Sequence, residues 1–231
     1  MRISTSLLST FLVACAQAAC GNSAYAADNL SDPYLRVSAA AWYQQPTATI
    51  KTQGGGSTSG SNISLEDAHT NVMVDAYLDV PVPLIPGIHA GAWQWKDDTV
   101  NGEDAKVTGA YAVAMWELDL IDRVGIALGA GVLTQDLDPA TGNREDFLVP
   151  AAAARGWVRL TDSLSLEARL MGGAMDRDDV IDGVAQLNWR LIGPLALIGG
   201  WRQVTSTQKL DKGDTWDLTI GGPFLGASAS F

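Results

Sequence analysis

The chain has 231 residues, 47% of them hydrophobic, and sets 15 basic against 26 acidic side chains for a formal net charge of −11. Nucleic-acid recognition, which uses stripes of Lys and Arg, is excluded by that balance. A helical membrane span is excluded too, because no stretch beyond the first residues holds the ~20 consecutive apolar residues it needs.

Met1-Arg2 gives a short positive start, Leu7 to Ala19 is a mostly apolar run, and Ala24-Tyr25-Ala26 offers a small-x-small cleavage site. Residues 1–26 are therefore expected to be a signal peptide and residues 27–231 a single domain. Leu12-Val13-Ala14-Cys15 also matches a lipoprotein box, which leaves lipidation at Cys15 as the alternative. Both cysteines, Cys15 and Cys20, lie in this leader. A chain that crosses an oxidising periplasm unfolded gains from having no thiols to mispair.

Ten segments of roughly 9 to 15 residues follow, the length of a tilted spanning strand. They lie at 33–44, 70–80, 87–95, 105–119, 122–133, 147–160, 164–175, 180–192, 195–205 and 215–231. Between them, long polar stretches (45–69, 96–104, 134–146, 176–179, 206–214) alternate with tight connections. The first long stretch contains Gly54-Gly55-Gly56-Ser57-Thr58-Ser59-Gly60-Ser61, expected to be a flexible loop. Tight turns are expected at Pro81 to Pro86, Ile121, Thr161-Asp162-Ser163 and Gly193-Pro194. Three prolines in six residues cannot donate ladder bonds, so pairing must stop at the first turn. Gly221-Gly222-Pro223 suggests a bulge that bends the last strand.

Parity within the segments is the strongest signal, since successive side chains face opposite sides of a sheet. Val72, Val74, Ala76, Leu78 and Val80 share one face; Met73, Asp75, Tyr77 and Asp79 share the other. Leu164, Leu166, Ala168 and Leu170 oppose Ser165, Glu167, Arg169 and Met171. Ile181, Ala185, Leu187, Trp189 and Leu191 oppose Asp182, Gln186, Asn188 and Arg190. An apolar face toward lipid and a polar face toward an interior require a sheet closed on itself, because every backbone amide at membrane depth must be paired. A soluble β-sandwich also alternates, but lacks one-sided loop lengths. The fold expected is all-β: a ten-stranded antiparallel up-and-down transmembrane β-barrel in the outer membrane. Eight strands is the alternative if 87–95 or 195–205 does not span.

The polar parity gives the lumen Arg36, Arg155, Arg159, Arg169, Arg190 and Arg202 against Asp75, Asp79, Glu117, Asp119, Glu167 and Asp182. Buried charges must be paired or hydrated, so a balanced set reads as an electrostatic plug. A narrow polar pore is the alternative. Aromatics gather toward segment ends (Trp42, Tyr43, Trp93, Trp95, Trp116, Trp189, Trp201, Trp216), as an interfacial girdle would require. Trp116, Trp189 and Trp201 share the lipid-facing parity; Trp93 and Trp157 share the interior one.

No catalytic set is legible. His69 lies beside Glu66 and Asp67 at an outer segment end, and His89 near the start of the third segment. The bland reading of His69 is a solvated loop histidine. No cofactor is implied. Asp97-Asp98, Glu103-Asp104 and Asp176-Arg177-Asp178-Asp179 cluster carboxylates without the spacing of a calcium loop. Three function classes remain: a non-catalytic structural or surface-interaction barrel, a narrow channel for small solutes, and a loop-based surface enzyme using His69. Expected partners are outer-membrane lipid and lipopolysaccharide, with periplasmic chaperones and the barrel-insertion machinery during biogenesis.

The stretch Trp42-Tyr43-Gln44-Gln45-Pro46, the turn Val80-Pro81-Val82-Pro83-Leu84-Ile85-Pro86, and Gly199-Gly200-Trp201-Arg202 with Gly221-Gly222-Pro223-Phe224-Leu225-Gly226 and Phe231 carry a resemblance. They resemble a family of small, largely uncharacterised proteobacterial outer-membrane β-barrel proteins. The resemblance implies the fold, the location and Phe231 as an insertion signal. It transfers no catalytic or binding residues.

Overall fold

The computed structural model describes residues 35–54, 57–63, 68–79, 85–100, 103–121, 123–138, 145–175, 178–209 and 215–231. The expected leader and the proline-rich stretch 80–84 lie outside these. The strands are β1 (Leu35–Gly54), β2 (Ser57–Ile63), β3 (His69–Leu78), β4 (Gly87–Val100), β5 (Glu103–Ile121) and β6 (Val124–Asp138). They continue with β7 (Glu145–Arg159), β8 (Leu164–Met175), β9 (Asp178–Ile192), β10 (Leu195–Lys209) and β11 (Thr215–Ser230). Consecutive wall strands pair antiparallel and β11 returns to β1, which closes a ten-stranded barrel. Segments 87–95 and 195–205 both become full wall strands, so the count is ten and not eight. β2 folds back on the outer end of β1, Ala48 opposite Ile63, while β3 takes the periplasmic part of the same edge.

The register fixes the size. From Leu35 it passes through Leu78, Ile88, Ala114, Ala130, Ala152, Gly172, Ile181, Thr205 and Thr219 and returns to β1 at Thr47. Position 47 lies twelve residues beyond 35. Ten strands with that stagger tilt by about 40° around a backbone radius of about 10 Å. A cylinder this narrow is largely filled by its own side chains.

Alternation produces the two faces. On β5, Trp116, Leu118 and Leu120 are 48–58% exposed, and Ala110, Ala112 and Ala114 continue their face until Thr108 and Lys106. Ten residues tilted by 40° make an apolar band about 25 Å tall, the height of the hydrocarbon-facing belt of an outer-membrane barrel. Trp189 and Trp201 also point outward, at 53% and 48% exposure. Trp42 and Trp95 do not: at 0% and 1% exposure they fill the lumen with Trp93, contrary to a girdle role. Strand parity, not nearness to a strand end, decides where an indole goes. The side chain of Trp216 lies outside the described residues.

The wall outruns the expected segments at its outer end. The stretch anticipated as a flexible loop forms the outer part of β1 and the β2 return, paired from Ala48↔Ile63 to Gly54↔Ser57. β4 and β5 likewise extend through most of 96–104. Ser57 to Ser61 and residues 96–104 lack the apolar alternation that marks the strands lower down, yet their backbones continue the ladder.

The expected bulge at Gly221-Gly222-Pro223 is absent. Trp42↔Phe224 and Gln45↔Gly221 belong to one unbroken register, with ladder pairing missing only between them. Pro223 has no N–H to offer there, and Trp42 Nε1 donates to the Gly222 carbonyl at 3.1 Å instead. At the periplasmic edge Gly193, at φ 52°, makes the tight β9–β10 turn. Closure there uses Leu35 N–H to the Phe231 carbonyl at 3.0 Å and Phe231 N–H to the Leu35 carbonyl at 2.8 Å.

Candidate functional site in the lumen

Inward parity on eight strands brings an ionic network to the periplasmic half of the lumen. In its lowest tier Arg155 of β7 donates Nε to Glu167 Oε1 at 2.9 Å and Nη1 to Glu117 Oε1 at 3.0 Å. Arg36 of β1 grips the same Glu167 with two bonds of 3.0 and 3.2 Å. Tyr77 O–H donates to Glu117 at 2.6 Å, and its ring lies 4.8 Å under the Arg155 guanidinium.

The next tier centres on Asp75. Arg169 Nη1 donates to it at 3.1 Å and Tyr111 O–H through a short bond. His89 Nε2 accepts from Arg169 Nη1 at 2.8 Å and stands 3.6 Å from the Asp75 carboxylate. The rings of Tyr77 and Tyr111 approach His89 edge-on at 5.8 and 5.3 Å. Above it Arg202 meets Asp182 in a bidentate pair, Nε to Oδ1 at 3.1 Å and Nη2 to Oδ2 at 2.6 Å. Arg202 is 0% and Asp182 1% exposed. Trp42 and Trp93 lie within 5.8 Å of the Arg202 guanidinium, and Arg169 Nη2 reaches Asp182 at 4.0 Å, which joins the two tiers. Bidentate guanidinium–carboxylate geometry is what holds such charges away from bulk water.

Four arginines (36, 155, 169, 202) therefore bond four carboxylates (75, 117, 167, 182). The other four expected members lie at the periplasmic edge. Asp119 is exposed, Asp79 and Arg159 are half-buried, and Arg190 donates Nη2 to the Asp162 carbonyl at 2.8 Å, tying β9 to the β7–β8 turn. Among the described bonds none of the four joins the network; water reaches the strand ends and can solvate them. The network instead includes His89, Tyr77 and Tyr111, which charge alone did not single out. Parity holds the signal for His89, since it shares a face with Trp93.

Farther out the lumen turns neutral. Asn71 donates to Gln44 Oε1 at 2.7 Å, and Gln44 Nε2 to the Gln94 carbonyl at 3.0 Å. Gln135 of β6 and Gln208 of β10 are buried as well. His69 stands half-buried at the outer end of β3 opposite Gln44. Its expected neighbours Glu66 and Asp67 lie outside the described residues, as do Asp176 and Arg177. A cavity of about 20 Å³ remains in the periplasmic half, bordered by Ser38, Asp75, His89, Arg169, Asn188 and Ser228 among others.

No protein-family profile and no curated protein sequence matches this chain. Solved structures do. The outer membrane protease OmpT from Escherichia coli superposes with a TM-score of 0.63 over 85% of this chain and 96% of its own, at 8% identity. Neisserial surface protein A scores 0.39 at 13% identity, covering 85% and 97%. The translocator domain of the autotransporter NalP from Neisseria meningitidis scores 0.39 at 12%, covering 99% and 100%. At these identities the likeness to OmpT speaks for the fold alone and the two lower scores add nothing to it. A closed antiparallel wall, a 25 Å apolar belt and this likeness make the chain an integral β-barrel of the outer membrane.

Proposed function

We propose that the chain is a non-catalytic outer-membrane barrel with a structural or surface-interaction role, its lumen plugged rather than open. It reaches the membrane by signal-peptide export, with periplasmic chaperones and the insertion machinery as partners, and rests there among phospholipid and lipopolysaccharide. One observation carries the reading. The bonded charges of the lumen cancel four against four, and the cavity beside them, about 20 Å³, has room for about one water molecule. A porin instead keeps a continuous aqueous passage.

Planar-bilayer recording of the purified full chain tests this. No reproducible conductance steps are expected, whereas the double variant Arg155→Ala/Glu167→Ala, which removes the lowest cross-lumen clamp, should conduct. Stepwise currents from the unaltered protein would establish the narrow channel instead. OmpT is a protease, but the likeness does not bring that chemistry here. A surface enzyme built on His69 requires a peptide- or lipid-cleaving activity that His69→Ala abolishes.

A further inference from the structure

We propose that the outward face of β10, β11 and β1, just above the apolar belt, docks the sugar headgroup of an outer-leaflet glycolipid of the lipopolysaccharide class. The proposal deepens the surface-interaction reading and rests on it.

Three adjacent strands bring matching side chains into register there. On β10, Trp201 and Gln203 are exposed and alternate with the enclosed Arg202 and Val204, so this set points away from the lumen. The ladder sets Gln203 opposite Gly221 of β11, and Gly221 opposite Gln45 of β1. The next row outward is Thr205, Thr219 and Thr47, with the Thr205 and Thr219 hydroxyls 3.3 Å apart. One row toward the belt, Trp201 faces Pro223, and Tyr43 holds the matching place on β1. Both of those rings are exposed, at 48% and 44%. Gly221 adds no side chain of its own. A Cβ there would lie 3.7 Å from the Gln203 amide oxygen and 3.8 Å from the Trp201 ring, so amide and indole converge over bare backbone. With strands ~4.8 Å apart, the patch is about 10 Å wide.

Its chemistry matches a saccharide. Amide and hydroxyl groups both donate and accept, as sugar hydroxyls do. Indole and phenol rings offer flat apolar faces to the C–H face of a pyranose. Charge separates this face from the rest of the wall. On β4, β5, β6 and β9 the outward positions turn charged within two places of the belt, at Lys96, Lys106, Asp136 and Asp179. On β10, β11 and β1 the rows stay neutral until Asp217, and the row beyond it holds Lys209, Thr215 and Lys51. A phosphorylated sugar can therefore lie across three strands and meet no carboxylate in the first two polar rows. Height selects the source. The polar rows follow directly on Leu197, Gly199 and Trp201 of the belt, so a lipid whose acyl chains lie on the belt brings its headgroup to them.

The purified barrel in detergent, titrated and read by native mass spectrometry, tests this with three probes. These are deep-rough lipopolysaccharide, phosphatidylglycerol, and the oligosaccharide cleaved from that lipopolysaccharide. The intact glycolipid should bind about tenfold or more tightly than either of the others. Gln45→Ala/Gln203→Ala/Thr219→Val, which removes two amides and the central hydroxyl, should weaken it by about tenfold or more and erase the preference. Trp201→Leu keeps an apolar belt residue but loses the ring, and should weaken it about three- to tenfold. Lys96→Gln/Lys106→Gln, on the β4–β5 side, should leave it unchanged. All variants are compared as the heat-modifiable folded form. Equal binding of phosphatidylglycerol or of the cleaved oligosaccharide overturns the proposal, as does a loss confined to the lysine variant. Unchanged binding by both the triple variant and Trp201→Leu overturns it too, and so does a dimer of the unaltered protein that the triple variant dissociates. Conductance steps from the unaltered protein would end the plugged reading and leave this face standing, whereas lost glycolipid selectivity would do the reverse.

Discussion

Removing the Asp182 carboxylate should be among the most damaging single changes in the wall. Its partner Arg202 is fully enclosed, and the bidentate pair at 2.6 and 3.1 Å meets most of the demand of its guanidinium. With Asp182→Ala, Arg202 keeps the faces of Trp42 and Trp93 and the Met73 sulfur at 3.6 Å, none of them an anion. The carboxylate of the tier below, Asp75, is committed to Arg169. Breaking one side of a buried pair costs about 3–5 kcal/mol, a shift of roughly 10² to 4 × 10³ in the folding equilibrium. The surface pair Arg123–Asp162, at 3.8 Å with side chains 58% and 94% exposed, is the internal control. Asp162→Ala should cost no more than about 1 kcal/mol through that contact. The double change Asp182→Leu/Arg202→Met removes both charges at similar volume and should recover most of the loss. Urea titration in phospholipid vesicles, followed by tryptophan fluorescence, reads all three. The reasoning fails if Asp182→Ala costs no more than Asp162→Ala, or if the double variant is as weak as the single one.

Other changes test the wall itself. A Cβ at Gly222 would lie 1.8 Å from the Tyr43 carbonyl oxygen, so Gly222→Ala should cost roughly 1–3 kcal/mol or more and deplete the fast-migrating folded form on unheated gels. Gly183→Ala, whose Cβ would meet nothing nearer than 3.8 Å, should run like the parent. Trp42→Phe deletes the N–H that serves the Gly222 carbonyl and should lower the unfolding free energy from urea titration by about 1–3 kcal/mol. Gly193→Ala adds a methyl group into open space but at φ 52°, so a loss of about 1 kcal/mol is expected from backbone strain alone.

The membrane-depth part of the fold is legible because period-two alternation persists only where one face meets lipid. Val72, Val74 and Ala76 against Met73, Asp75 and Tyr77 is such a stretch. Outside the belt that pressure vanishes. Nothing in Ser57-Thr58-Ser59-Gly60-Ser61 distinguishes a loop from a solvated hairpin, yet its backbone pairs with β1. Gly221-Gly222-Pro223 has the composition of a bulge, but the indole of Trp42 repairs the local deficit and the register runs through. Position along the strand points Trp42 and Trp95 to an interfacial girdle, whereas parity puts Trp42 on the face of Arg36, inside the lumen. In the lumen, charge picks out arginines and carboxylates at once. Phenols and an imidazole at neutral pH carry no such mark, so Tyr77, Tyr111 and His89 emerge only when strand neighbours are known.

The cancellation of charge inside the barrel has a consequence for what meets it from outside. Since the bonded interior contributes no net charge, the formal −11 of the whole chain must reside on its ends. Most of it falls in the outward segments around Asp97-Asp98, Asp136, Asp146, Asp178-Asp179 and Asp217, while at the opposite rim Arg123, Arg159 and Arg190 are balanced by Asp79, Asp119 and Asp162. The molecule therefore carries an acidic crown above a charge-balanced periplasmic rim, and the crown's field reaches about 10 Å into 0.1 M salt. Polyanions arriving at the cell surface are turned away, and whatever docks on the crown must bring positive charge or a cloud of cations with it.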